Sequence, residues 1–343
     1  MTFYGNRPVV DTLDRMIESG RMPQTILLHG PEGVGKATLA RWFAARLLGH
    51  GEDLIAQDDL SRPEMQALIA EREKLPSEKR NEDPLLFSTH PDFVTFPPDG
   101  PLRQLSIPQM RLLKERAGFK PLKGAWRVFL IDRIDRANEQ AANSLLKTLE
   151  EPPSHLVVIM TAENPYDLLP TIRSRAVHFP LVPLDAAEMK AFLKERGTEH
   201  QVERRTALAG GCPGIAVTID LEAYDKRRTA MLALLKVASK QAPFSSWVKY
   251  SESISASKTE KLDAYLEVLY VLLEDVLLLS QGVGGRVQNP DLERDLAAIA
   301  QAVSFDWIRK AVGQTDELMQ LVRRNIQKSI ALDAFAVDLA ARA

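Results

Sequence analysis

"QTILLHGPEGVGKATLARWFAARLLG", residues 24–49, decides how the chain is read. A short apolar run, Thr25 to Leu28, closes on a glycine, and the residues after Lys36 show helical periodicity as far as Gly49. Between them "GPEGVGKA", Gly30 to Ala37, matches the phosphate-loop pattern GxxxxGK[ST] at every fixed position except the last. Strand, glycine-rich loop and helix are the context that the motif requires. Gly30, Gly33 and Gly35 free backbone N–H groups to face phosphates, the helix start adds partial positive charge, and Lys36 reaches the terminal phosphates. A glycine-rich turn beside a chance lysine is the alternative.

The last position carries a defect. Ala37 has no hydroxyl to offer magnesium, and Thr38 comes one residue late. A helical step of ~100° turns Thr38 away from the metal position.

Further along, "DFVTFPP", "WRVFLID", "HLVVIMT" and "AVHFPL" read as strands, alternating with the helices "IPQMRLLKERAG" and "NEQAANSLLKTLEE". Continuous apolar strands separated by helices predict a parallel sheet covered on both faces. A first helix over residues 8 to 19 precedes it, ended by "SGRMP". Residues 51–90 are charged and irregular, with an amphipathic helix expected around Pro63 to Ala70, and read as an insertion or mobile excursion. After Pro183 the strand signal stops. Residues 184–220 suggest a small helical unit and 221–343 several longer helices, including "LDAYLEVLYVLLEDVLLLS".

"FLIDRIDRAN", residues 129–138, is the second half of the expected nucleotide site. Asp132 ends the strand where a phosphate-loop enzyme holds magnesium, yet the next residue, usually an acid that readies water, is Arg133. A guanidinium takes no proton at neutral pH. At this level Asp132 and Arg133 forming a solvated ion pair stays open.

With 343 residues, the chain exceeds the roughly 250 at which single cores stop growing, so several domains are expected. A net charge of −2 gives no global attraction to nucleic acid. The single cysteine, Cys212, excludes an internal disulfide and a CxxC zinc site. The absence of an apolar leader or a span of ~20 apolar residues points to a cytoplasmic protein without membrane contact.

"GPEGVGKATLA", "THPDF", "AANSLLKTLEEPP" and "LLPTIRSRAVHF", in this order and spacing, resemble the AAA+ subunits of the bacterial DNA polymerase III clamp loader, and among them most its non-motor member. The resemblance covers residues 1 to about 220 well; the C-terminal third matches only by length and helical character. It implies an α/β RecA-like AAA+ parallel-sheet domain over 1–182, with 51–90 in place of a zinc module, a helical lid over 183–220, and an all-helical collar over 221–343. The implied partners are gamma/tau and delta subunits in a hetero-pentamer, the sliding clamp, and primer-template DNA reached through the complex. The implied ligand is ATP or ADP bound without hydrolysis, with no zinc, in a subunit of the polymerase holoenzyme.

Residue by residue, the family's Ser-Arg-Cys motif falls on Ser174, Arg175 and Ala176, so Arg175 is the expected arginine finger toward a neighbour's ATP. Arg173 and Arg175 capping strand-end carboxylates is the alternative. Where a motor subunit's lid carries a sensing arginine, this chain has "GGCPGIAV", residues 210–217. That third departure favours the non-motor member over a gamma/tau-like motor or another AAA+ remodeller. A strip of Arg103, Arg111, Lys114, Arg116, Lys120, Lys123 and Arg127, against the single acid Glu115, offers Arg111 and Lys114 as DNA-phosphate contacts. A solvated basic face weighs equally.

Overall fold

The computed structural model describes residues 3–49, 52–197, 201–256, 262–322 and 327–341. The chain divides into two compact units, Met1–Val217 and Thr218–Ala343.

In the first unit the elements run α1 (Arg7–Ser19), β1 (Thr25–His29), α2 (Lys36–Leu48), α3 (Glu52–Gln57), α4 (Pro63–Glu73), α5 (Ser77–Glu82), β2 (Phe93–Phe96) and α6 (Ile107–Ala117). Then follow β3 (Arg127–Ile131), α7 (Glu139–Glu150), β4 (Leu156–Ala162), α8 (Pro170–Arg173), β5 (Val177–Pro180), α9 (Ala186–Glu195), α10 (Val202–Leu208) and α11 (Pro213–Thr218). The five strands pair in the order β2-β3-β4-β1-β5, all parallel. This is the parallel sheet that the sequence predicts, with helices on both faces. Every residue of β3 and β4 is buried, which is why both read as unbroken apolar runs.

Successive side chains of β3 serve opposite layers. Phe129 and Ile131 join α6 and α7 through Met110, Leu113 and Leu145, while Val128 and Leu130 join α1 and α2 through Leu13, Leu39 and Phe43. The helix starts follow local chemistry: Ser106 and Gln109 form a reciprocal capping box at α6, and Asn138 caps α7 by accepting from Ala141 N.

Residues 51–90 differ from the expected irregular excursion. The helix begins at Pro63 as expected but continues to Glu73, and two short helices flank it. Ile69, Leu85 and Phe87 form a small core there. Arg72 pairs with Asp99 at 2.9 Å, Arg41 with Asp59 at 2.8 Å, and the Phe87 backbone exchanges two hydrogen bonds with Thr95 on the β2 edge. These anchors tie the segment to the sheet and shield an open strand edge. Helix α5 buries no residue, so no apolar period marks it in the sequence.

The second unit is helical: α12 (Leu221–Ala238), α13 (Ser245–Ala256), α14 (Leu262–Ser280), α15 (Glu293–Ala302), α16 (Phe305–Val322) and α17 (Lys328–Ala340). Two of its carboxylates gather buried and partly buried donors. Asp275 accepts from Gln288 N at 2.7 Å, Asn289 N at 3.0 Å and Asn289 Nδ2 at 2.8 Å, and Trp247 Nε1 donates to Asp333 at 2.6 Å. Among the described residues no helix is long and apolar enough to cross a membrane.

Candidate functional site

The phosphate loop leaves the C-terminal end of β1 and turns into α2 through three glycines at positive φ, Gly30 (148°), Gly33 (73°) and Gly35 (105°). Space forbids a side chain at two of them. A Cβ on Gly30 would lie 2.3 Å from Leu181 O, and one on Gly33 would lie 2.7 Å from Ile215 Cγ1. The start of α11 sits directly on the loop, with Gly214 N donating to Gly33 O at 2.8 Å. Phe3 covers the far side; its ring comes within 3.3 Å of where a Gly35 Cβ would be.

Lys36 turns back on its own loop, donating from Nζ to Gly30 O at 2.6 Å and Pro31 O at 2.7 Å. Burial lowers its pKa, opposed by the charges of Glu163, Asp132 and Asp135. Ala37 and Thr38 follow on the first turn of α2, where Thr38 is half-buried.

Asp132 stands at the end of β3 as expected. Its carboxylate accepts from Thr161 Oγ1 at 2.6 Å, and the same hydroxyl accepts from Arg133 N at 2.8 Å. The Asp132–Arg133 pair left open above is therefore replaced by two other partnerships. Arg133 takes a left-handed backbone (φ 54°) and directs its guanidinium across to Glu32 in the phosphate loop, with Glu163 4.0 Å away. Burial pushes the Asp135 carboxyl up, and Glu163 adds to the rise. Asp135 Oδ1 and Glu163 Oε1 are buried without a hydrogen-bond partner. Glu32, Asp135, Thr161 and Glu163 went unmarked in the sequence, because only the parallel register of β1, β3 and β4 gathers their strand ends.

Arg175 lies between α8 and β5, half-exposed, donating to Thr171 O at 2.8 Å and to Glu150 Oε1 at 2.7 Å. Its carboxylate partner ends helix α7 and not a strand, and Arg173 stacks on the Tyr166 ring at 5.0 Å, so neither arginine caps a strand end. Arg111 and Lys114 are exposed on α6, while Met110 and Leu113 are buried. The strip is shorter than its sequence: Arg127 is buried at the start of β3, and Arg103 pairs with Glu73 at 2.6 Å. Among the described residues no cluster of three His, Cys, Asp or Glu could hold a metal ion.

Two family models account for most of the chain. The model described as DNA polymerase III, delta subunit matches residues 5–185, and that of the delta subunit's C terminal matches 222–336. The chain belongs to the DNA polymerase III delta subunit family. Subunit delta' of Pseudomonas aeruginosa is 30% identical over 63% of this chain and 61% of its own length. Subunit gamma/tau of Mycobacterium bovis is 30% identical over 55% of this chain and 29% of its length. The chain thus aligns with less than two thirds of either relative. A gamma subunit-related protein of Thermotoga maritima superposes over 97% of this chain and 99% of its own, at 20% identity and a TM-score of 0.45, too loose a likeness to bear on function. Within this delta subunit family, then, stands a phosphate loop closed by its own lysine, by Arg133 and by the start of α11.

Proposed function

We propose that this chain is the non-motor, delta prime-like subunit of a cytoplasmic DNA polymerase III clamp loader, and that it leaves ATP hydrolysis to its neighbours. The observation that carries the proposal is Arg133. It stands where an acid would ready the attacking water, and it is spent on Glu32.

A magnesium nucleotide does not fit these residues. Ala37 has no oxygen, the Asp132 carboxylate is engaged by Thr161, and a fixed cation lies beside it, so no hydrolytic step is assigned to this site. Lys36 and the glycines remain, and in this reading ATP or ADP enters as a phosphate ligand that displaces Lys36 from the Gly30 and Pro31 carbonyls, without turnover.

Arg175 is the group offered outward. Its planar guanidinium, half-exposed and held by Glu150, suits the charge that builds on a neighbour's γ-phosphate. In this scheme residues 1–182 are the AAA+ domain, 183–220 the lid and 221–343 the collar that joins gamma/tau and delta subunits in a pentameric ring acting on the sliding clamp. Arg111 and Lys114 then contact primer-template phosphates. The similarity to gamma/tau proteins favours the competing reading of an active motor, against which Ala37 and Arg133 both count.

Steady-state ATP hydrolysis with magnesium, measured on the purified chain alone and then with its partner subunits, tests the proposal. Turnover by the chain alone at ~1 s⁻¹ would sink it.

A further inference from the structure

The turn Ser174 to Ala176, which carries Arg175, runs between the four-residue helix α8 and the edge strand β5. Its own backbone bonds are long: Arg175 N donates to Ile172 O at 3.2 Å and Ala176 N to Arg173 O at 3.4 Å. Ser174, Arg175 and Val177 are all exposed. A single helical turn orders itself poorly, because it fixes several dihedrals for each hydrogen bond it forms.

One side chain closes the turn from the strand side. Nε2 of His178 lies 2.8 Å from Arg173 O. A carbonyl oxygen only accepts, so Nε2 carries the hydrogen, and the partner sets the tautomer. Arg173 O belongs to the group of carbonyls that a helix end leaves without an intrahelical donor. Among the described residues no other side-chain hydrogen bond ties β5 back to the end of α8.

The ring that makes this bond is itself held. His178 is the register partner of Leu27 on β1, and the His29 ring meets it edge-on at 5.7 Å. His29 immediately precedes Gly30, so the root of Arg175 is fixed to the strand whose end carries the phosphate loop. A donor whose rotamer is already restricted by packing loses little further freedom in holding its acceptor.

That fixation matters for a group that acts across a subunit boundary. Thr171 O and Glu150 orient the tip of Arg175, whereas only the turn sets where the side chain starts. A displacement of about 1 Å in a catalytic group costs on the order of 100-fold in rate. We infer that His178 is the positioning residue of the arginine finger, fixing through Arg173 O the turn from which Arg175 reaches a neighbour's nucleotide. The inference rests on the reading of Arg175 as that finger and deepens it by naming what holds the finger's backbone.

The test is steady-state ATP hydrolysis by the complex assembled with its partner subunits. His178→Phe keeps a ring against His29 and removes the donor; kcat should fall about fivefold with KM for ATP unchanged. His178→Gln, whose side-chain amide extends about as far as Nε2, should restore most of the rate. His178→Phe combined with Arg175→Ala should lose no more than Arg175→Ala alone, because without the finger its root has nothing to place. Should His178→Phe fail to assemble, His178→Asn, whose amide is too short to reach Arg173 O, takes its place with the same expected loss. Wild-type kcat in the non-donor variant overturns the inference, as does a change confined to KM, a failure of His178→Gln to rescue, or a further fivefold loss on top of Arg175→Ala. If Arg175→Ala lowers the rate and the non-donor variant does not, the finger stands and His178 has no part in it. If Arg175→Ala leaves the rate unchanged, the finger reading falls and this inference falls with it.

Discussion

Arg133, at the end of β3, is ion-paired to Glu32, 101 residues earlier in the phosphate loop. A residue that departs from the hydrolytic pattern has become a clasp across the site. Both side chains retain solvent access, so the clasp is weak, on the order of 0–1 kcal/mol.

Removing the clasp should change binding more than chemistry. Arg133→Ala frees the mouth of the loop and should raise affinity for magnesium-free ATP by up to about fivefold, read by titration calorimetry. ATP turnover by the variant should stay at background, because the substitution restores neither the hydroxyl absent at Ala37 nor a general base.

Arg175→Ala is expected to leave assembly intact and to lower ATPase at the neighbouring site by at least about tenfold. Glu150→Gln removes the carboxylate that holds Arg175 at 2.7 Å and should leave the assembled rate equal or higher. A rate unaffected by Arg175→Ala would take the residue out of the finger role.

His29 closes β1 beside the loop, its ring 5.7 Å edge-on from His178. Burial holds its pKa below the usual 6.5, helped by the charges of His178 and Lys36. A depressed folded value means that the unfolded chain takes up the proton first, so stability is complete above 6.5 and is lost as pH falls from there through the folded pKa. The melting temperature should drop between about pH 7.5 and about pH 5.5, and His29→Gln should reduce the drop. Asp58 and Asp135, both raised by burial, act in the opposite sense, losing stability as pH rises above 3.8.

In the helical unit Asp275→Ala would strand three donors, the buried Asn289 N and Asn289 Nδ2 and the partly buried Gln288 N. A loss of about 3 kcal/mol is expected, visible as an earlier urea transition of that unit with the other transition unmoved.

Much of the fold was legible because it is written locally. Apolar runs and their spacing located the five strands of the sheet and helices α6 and α7, and two of the phosphate-loop glycines, Gly30 and Gly33, proved to be positions where a Cβ has no room. Residues 51–90 were poorly legible, since their anchors Arg72–Asp99 and Arg41–Asp59 join charged side chains that in one dimension look like solvent-facing residues.

The sequence by itself determined what the site lacks. Ala37 has no hydroxyl and Arg133 is no base in any conformation, because those are properties of the residues. What fills the space only the tertiary structure decided: Lys36 folded onto Gly30 and Pro31, Thr161 taking Asp132, Ile215 against Gly33, and Arg133 reaching Glu32. A charged side chain takes the partner that the packed strands and helices bring within reach, and that choice depends on strand order and helix placement, which no local stretch of sequence contains.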